Sequence, residues 1–206
     1  SVVPPIVDGY NPDRFDYDYD PAKAKALLAE AGYPNGKDLP PIEILYNTSE
    51  SHRKIAVAIQ QMWKQNLGVE VAIYNQDWKS YLSTMKNLDY SIARSAWIGD
   101  YVDPNTFLDV FLTGGGNNRT GFASPEYDQL IKLAGTSSNK AERFQYFQQA
   151  EALLIEHVPI MPIYTYTSVY LKHPYVQGWY SNVLNRHPYK YVYLAQPNKP
   201  LSESQL

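Results

Sequence analysis

The sequence predicts an α/β fold, a mixed and mostly parallel sheet flanked by helices. Three observations carry this. Apolar runs of strand length alternate with amphipathic stretches between residues 41 and 97. Their order, strand–helix–strand–helix–strand, is the pattern of βαβ units with parallel strands. Hydrophobic residues make up 44% of the 206, enough to fill a core rather than leave the chain disordered.

The elements follow in order. Residues 1–20 are rich in Pro, Asp and Tyr and read as an extended lead-in. Asp20 then caps a helix that opens with Pro21, since a carboxylate accepts the first free N–H groups and Pro has none to lose. Ala24, Leu27, Leu28 and Ala31 fall on one face of it, and Gly32 stops it. A strand is expected over residues 41–46 and a helix over 51–67, with Ile55, Ala58, Ile59, Met62 and Asn66 along one side. Gly68 ends that helix. Residues 69–74 read as the second strand, 77–86 as a short helix and 89–97 as the third strand.

Asp103 and Pro104 start a helix expected over 104–112, and a polar Gly/Asn loop covers 113–121. Ser124 caps a helix over 125–134. A longer helix over 140–157 carries Phe144, Phe147, Ala150 and Leu154 at helical spacing. Strands are expected at 160–166, 168–171 and 189–194. The folded unit is thus residues 1–195, and residues 196–206 read as a mobile polar tail.

Composition removes several function classes. The net charge is −3 with no long basic run, which argues against nucleic acid and anionic membrane surfaces. There is no cysteine, so disulfides, thiolate catalysis and Cys-based zinc sites are excluded. No apolar run approaches the ~20 residues of a membrane span. No signal peptide precedes Ser1, so the chain reads either as cytoplasmic or as a mature or trimmed piece.

Most catalytic chemistry is also missing. The loop Thr-Gly-Gly-Gly-Asn-Asn-Arg-Thr-Gly (113–121) lacks the Lys-Ser/Thr of a phosphate-binding loop and follows a helix rather than a strand. His52, His157, His173 and His187 form no ligand pair at helical spacing, so no metal is expected, and no cofactor is called for. There is no nucleophile elbow. Asp13, Asp16, Asp18 and Asp20 lie in the polar lead-in and read as a solvated face. The chain is therefore not expected to be an enzyme.

Residues 94–105, Arg-Ser-Ala-Trp-Ile-Gly-Asp-Tyr-Val-Asp-Pro-Asn, are the exception. Trp97 ends an apolar run and Asp100 follows three residues later. An aromatic face beside a carboxylate suits an organic cation such as a peptide amino terminus. Asp103 has a local duty as a helix cap, whereas Asp100 has none. Trp97 alone fits a core as well as a site. Arg94 shares a strand face with Ala96, Ile98 and Asp100 if the strand continues. In open α/β sheets ligands sit outside the carboxyl ends of strands, where this segment falls.

Taken together, several ordered motifs resemble the oligopeptide-binding proteins of ABC importers, bacterial extracellular solute-binding proteins of family 5. They are Val-Pro-Pro then Gly-Tyr-x-Pro (3–12), Lys-Ala-Lys-Ala-Leu-Leu-Ala-Glu-Ala-Gly-Tyr (23–33) and Leu-Tyr-Asn-Thr-Ser-x-x-His (45–52). Asn-Gln-x-Trp-Lys-x-x-Leu (75–82), Ala-Arg-x-x-Trp-x-x-Asp-Tyr (93–101) and Asn-Asn (117–118) complete the set.

The resemblance implies a periplasmic-binding-protein-like lobe, the carboxy-terminal one of two, with a missing amino-terminal lobe and a membrane ABC permease as partners. It implies a periplasmic or membrane-anchored extracytoplasmic protein whose ligand is an oligopeptide. Asp100 matches the carboxylate that pairs with the peptide amino terminus, and Ala96 and Ile98 the backbone that adds to the extended peptide. Trp78, Trp97 and His52 match side-chain pockets, Arg94 a basic position near the ligand, and Tyr166 a tyrosine on a later strand. A second arginine of the well-studied members stands here as Met85, beside Lys86, so no length preference carries over. The alternative is a lobe for another small solute such as an oligosaccharide, because aromatic platforms also suit sugars.

Overall fold

The computed structural model describes residues 1–5, 7–11, 19–182 and 184–195. Its centre is a three-stranded parallel sheet in the order β2–β1–β3, with β1 at Ile42–Asn47, β2 at Val71–Gln76 and β3 at Ile92–Ala93. Ile42 pairs with Val71 and Asn47 with Gln76, so β1 and β2 are in register along their full length. The expected βαβ order is thus present, and the fold is the mixed α/β type read from the sequence.

Side-chain alternation along β1 sorts the layers. Ile44 and Tyr46 turn to one face and pack with Ala56, Ile59 and Trp63 of α2 (Glu50–Leu67), joined by Leu28 of α1 (Pro21–Glu30). Leu45 turns to the other face and meets Tyr81 and Met85 of α3 (Trp78–Asn87). Asp20 caps α1 through the Lys23 N–H, and Asp77 caps α3 through the N–H groups of Lys79 and Ser80. Gly68 ends α2 at φ 71°, and a Cβ there would lie 2.5 Å from the Asn35 carbonyl oxygen. Only glycine meets both demands.

A second core lies among helices. It joins α4 (Asn105–Leu108), a 3₁₀ turn at Asp109–Phe111, α5 (Pro125–Thr136) and α6 (Lys140–His157). Ser124 caps α5 as expected. Tyr127, Phe147 and Leu154 are fully buried here. The expected helix over 104–112 is therefore an α turn followed by a 3₁₀ turn.

The lead-in is more than an extended approach. Val3, Val7 and Tyr10 are buried in this second core. The buried Glu151 of α6 accepts hydrogen bonds from the Ser1 hydroxyl, the Val2 and Val3 N–H groups and the Tyr10 hydroxyl. A fully buried carboxylate needs such donors. Asp13, Asp16 and Asp18 of the lead-in, and the tail over 196–206, lie outside the described residues.

Four strand expectations are corrected. Residues 89–97 do not form one strand. Leu88 caps α3 in the left-handed region, the Asp89 N–H still bonds back to Thr84, and only Ile92–Ala93 pairs with β1. Beyond Ala93 a single bond continues, from the Arg94 N–H to the Leu45 carbonyl, before β1 ends at Asn47. Residues 160–166 and 168–171 belong to no strand. Their apolar alternation has no neighbouring strand among the described residues, and Val169 and Leu171 stand exposed. Residues 189–194 hold a 3₁₀ turn and only two strand residues, Tyr193–Leu194 (β5), paired antiparallel with Val176–Gln177 (β4). No helix among the described residues is long and apolar enough to cross a membrane.

Candidate ligand-binding site

Parallel strands share one carboxyl edge, and here it is marked by Asn47, Gln76 and Arg94. Hydrogen bonds from the Thr48 N–H and hydroxyl to the Gln76 carbonyl tie the ends of β1 and β2 together. The side-chain carbonyl oxygens of Asn47 and Gln76 are buried with no partner among the described residues. Two buried acceptors are thus left without a donor on the edge where α/β folds place ligands.

The chain leaves the carboxyl end of β3 as an unpaired segment. Among the described residues, the backbone groups of residues 95–99 make no hydrogen bond. Ala96 is exposed and Ile98 is 79% exposed. Trp97 is 40% exposed, and its indole N–H donates to the Thr106 carbonyl at 2.6 Å. The Asp100 N–H donates to the Thr106 hydroxyl at 3.0 Å. The Asp100 carboxylate is exposed and has no hydrogen bond or ion pair among the described residues.

The turn that follows is anchored from α6. Arg143 donates twice to the Asp103 carboxylate, at 2.7 Å each, and once to the Ala134 carbonyl. Asp103 also accepts the Asn105 N–H, the capping duty read from the sequence, although Pro104 lies between it and α4. Burial pushes the Asp103 carboxyl up, but the bonds from Arg143 and Asn105 and the Arg143 charge outweigh it. Its pKa ends below the usual carboxylate value. Asp109 moves the other way, because burial and the nearby Asp100 charge both push its carboxyl up.

A second group gathers around Arg94. Its guanidinium donates to the Tyr166 hydroxyl and stands 5.7 Å from the centre of that ring. Its carbonyl accepts the Tyr81 hydroxyl at 2.7 Å. Tyr81 in turn stacks against Trp78, with centroids 5.6 Å apart, and Trp78 remains 60% exposed. His52, at the start of α2, contacts the Asn47 carbonyl through Nδ1 at 3.4 Å. Burial, and then the Arg94 charge, push the imidazole pKa down, partly offset by the Asn47 carbonyl.

The eight residues expected from the sequence thus fall into two groups joined by one backbone. Arg94, Tyr166, Trp78 and His52 surround the end of β3. Ala96, Trp97, Ile98 and Asp100 follow along the open segment. Tyr166 lies on a segment that belongs to no strand. The sequence reading missed Thr106 and Arg143, which hold the second group, and the buried amides of Asn47 and Gln76. Thr106 is a buried polar residue, 2% exposed, and only the three-dimensional contact reveals its two partners. Cavities of about 590 Å³ beside Glu43, Tyr74 and Asp89, and about 510 Å³ beside Tyr170, Trp179 and His187, are bordered by none of the eight.

Comparison with known proteins supplies the context. Residues 1–119 match the family model described as "Bacterial extracellular solute-binding proteins, family 5 Middle". The chain is 38% identical over 185 residues to the oligopeptide-binding protein OppA of Bacillus subtilis, covering 86% of this chain and 34% of that protein. It is 43% identical over 180 residues to the dipeptide-binding protein DppE of the same organism, covering 86% and 32%. Among solved structures it superposes on the murein tripeptide binding protein MppA of Escherichia coli with a TM-score of 0.81 and 35% identity, covering 94% of this chain and 39% of that one. The chain spans about a third of the length of the curated relatives it matches.

Proposed function

Because the chain belongs to the bacterial extracellular solute-binding proteins of family 5, we propose that it is the carboxy-terminal lobe of a two-lobed peptide receptor serving an ABC importer. Residues 1–195 form this lobe, and its absent partner lobe supplies the other wall of the cleft. The receptor works outside the cytoplasm, hands an oligopeptide to a membrane permease and catalyses no reaction.

The observation that carries this reading is the state of residues 95–100. Among the described residues the backbone of residues 95–99 makes no hydrogen bond, and this segment leads from the carboxyl end of β3 to an exposed, unpaired carboxylate. An extended peptide can add to such a backbone through its own main chain, which is common to all peptides, so side-chain selectivity is weak. Asp100 then receives the ammonium group, a charge-assisted bond worth about 1.5–3 kcal/mol. Trp97 and Trp78 offer broad faces to ligand side chains. Arg94, with His52 and Tyr166 beside it, provides the positive end of the site.

Titration of the two-lobed receptor with a peptide mixture and with cello- and xylo-oligosaccharides tests the proposal. Binding of peptides, with no binding of sugars, is the expected result. Binding confined to the sugars would assign the aromatic faces to carbohydrate stacking instead. The 206-residue chain alone is expected to bind peptide weakly or not at all, since half the enclosure is missing.

A further inference from the structure

We infer that Thr106 is the positioning residue of the amino-terminus clamp, a role that rests on the reading of Asp100 given above. One buried residue holds both members of the clamp. Its hydroxyl accepts the Asp100 N–H at 3.0 Å, and its carbonyl accepts the Trp97 indole N–H at 2.6 Å. The segment between them is pressed against the same residue. A Cβ on Gly99 would lie 2.7 Å from the Phe107 ring and 3.0 Å from the Thr106 methyl group.

Thr106 is itself fixed. It sits in α4, whose first residue, Asn105, bonds to Asp103, and Asp103 is gripped by Arg143. The path from α6 to the clamp is therefore continuous: Arg143, Asp103, α4, Thr106, then Asp100 and Trp97.

The physical consequence concerns order. The Asp100 carboxylate has no partner of its own among the described residues, so its position depends on its backbone. Among the described residues, 95–99 make no backbone hydrogen bonds, so the anchor at the far end of this segment is Thr106. Losing the hydroxyl frees the Asp100 backbone, and ligand binding must then order it. A ligand that uses Asp100 suffers that cost. A ligand that does not use Asp100 is largely spared.

The test compares Thr106→Val and Thr106→Ser in the two-lobed receptor. Calorimetry reads the affinity of each for one peptide with a free amino terminus and for its N-acetylated form. Thr106→Val is expected to lose about five- to tenfold for the free-amine peptide and less than about twofold for the acetylated one. Thr106→Ser, which keeps the hydroxyl, is expected to stay within about twofold of the parent. Amide exchange at Asp100 should also quicken in the Val variant alone, which a general loss of stability would not confine to one amide. If Thr106→Val does not fold, Thr106→Ala removes the same hydroxyl without an added group and carries the same expectations. Equal losses for the two peptides, or unchanged affinity for both, overturn the role of Thr106. A parent receptor that does not distinguish free from acetylated peptide overturns the reading of Asp100, and this role with it.

Discussion

Arg143 and Asp103 meet through two hydrogen bonds of 2.7 Å, linking α6 to the turn that follows Asp100. Both side chains are about three-quarters buried. The guanidinium also stands 4.7 Å from the centre of the Phe147 ring, so it is held on several sides. A planar fork matched to a carboxylate in this way is among the stronger polar contacts a surface can make.

Asp103→Asn should therefore cost about 2 kcal/mol of stability at neutral pH. The pH dependence follows from the lowered Asp103 pKa. A depressed carboxylate contributes stability above its unfolded value, ~4, and loses it as pH falls through the lower folded value. Urea titrations of parent and variant should differ most at neutral pH and converge as the pH falls below the unfolded value of ~4. A gap that stays constant or widens on acidification contradicts the assignment.

His52 reports on the charge of Arg94. Its imidazole pKa lies below the usual value because of burial and the Arg94 charge. Replacing Arg94 with Gln removes the second cause, so the His52 pKa should rise toward ~6.5. An NMR titration of the ring protons measures this directly. An unchanged or lower value in Arg94→Gln would separate the two residues.

Helices were the most legible part of the sequence, because caps and spacing are local. Asp20, Asp77 and Ser124 accept N–H groups two or three residues ahead, a range a reader can scan. The parallel order of β1, β2 and β3 was legible for the same reason. Strand ends were not, because a strand needs a partner. Residues 94–97 and 160–171 carry strand-like side chains, yet no strand pairs with them among the described residues. The long-range ties were equally hidden. Glu151 meets Ser1 and Tyr10, and Arg143 meets Asp103, across separations that no spacing rule covers. At the site, Asp100 stood out by lacking a local task, whereas Thr106 looked like an ordinary helix residue.

Val158 offers a test of backbone strain. It caps α6 at φ 50°, a conformation that disfavours β-branched residues. More than half its surface is exposed, so little packing is lost on replacement. Val158→Asn should raise stability by about 0.5–1 kcal/mol, since Asn tolerates this region. Thermal unfolding measures it, and a lower midpoint would show that Val158 contributes more through packing than it costs in strain.

The central claim is that Asp100 receives a peptide amino terminus. The direct measurement is the affinity of parent and Asp100→Asn two-lobed receptors for a free-amine peptide and its N-acetylated counterpart. The account predicts that Asp100→Asn weakens the free-amine peptide by about 1.5–3 kcal/mol and leaves the acetylated one nearly unchanged. Equal weakening of both peptides, or of neither, would contradict it.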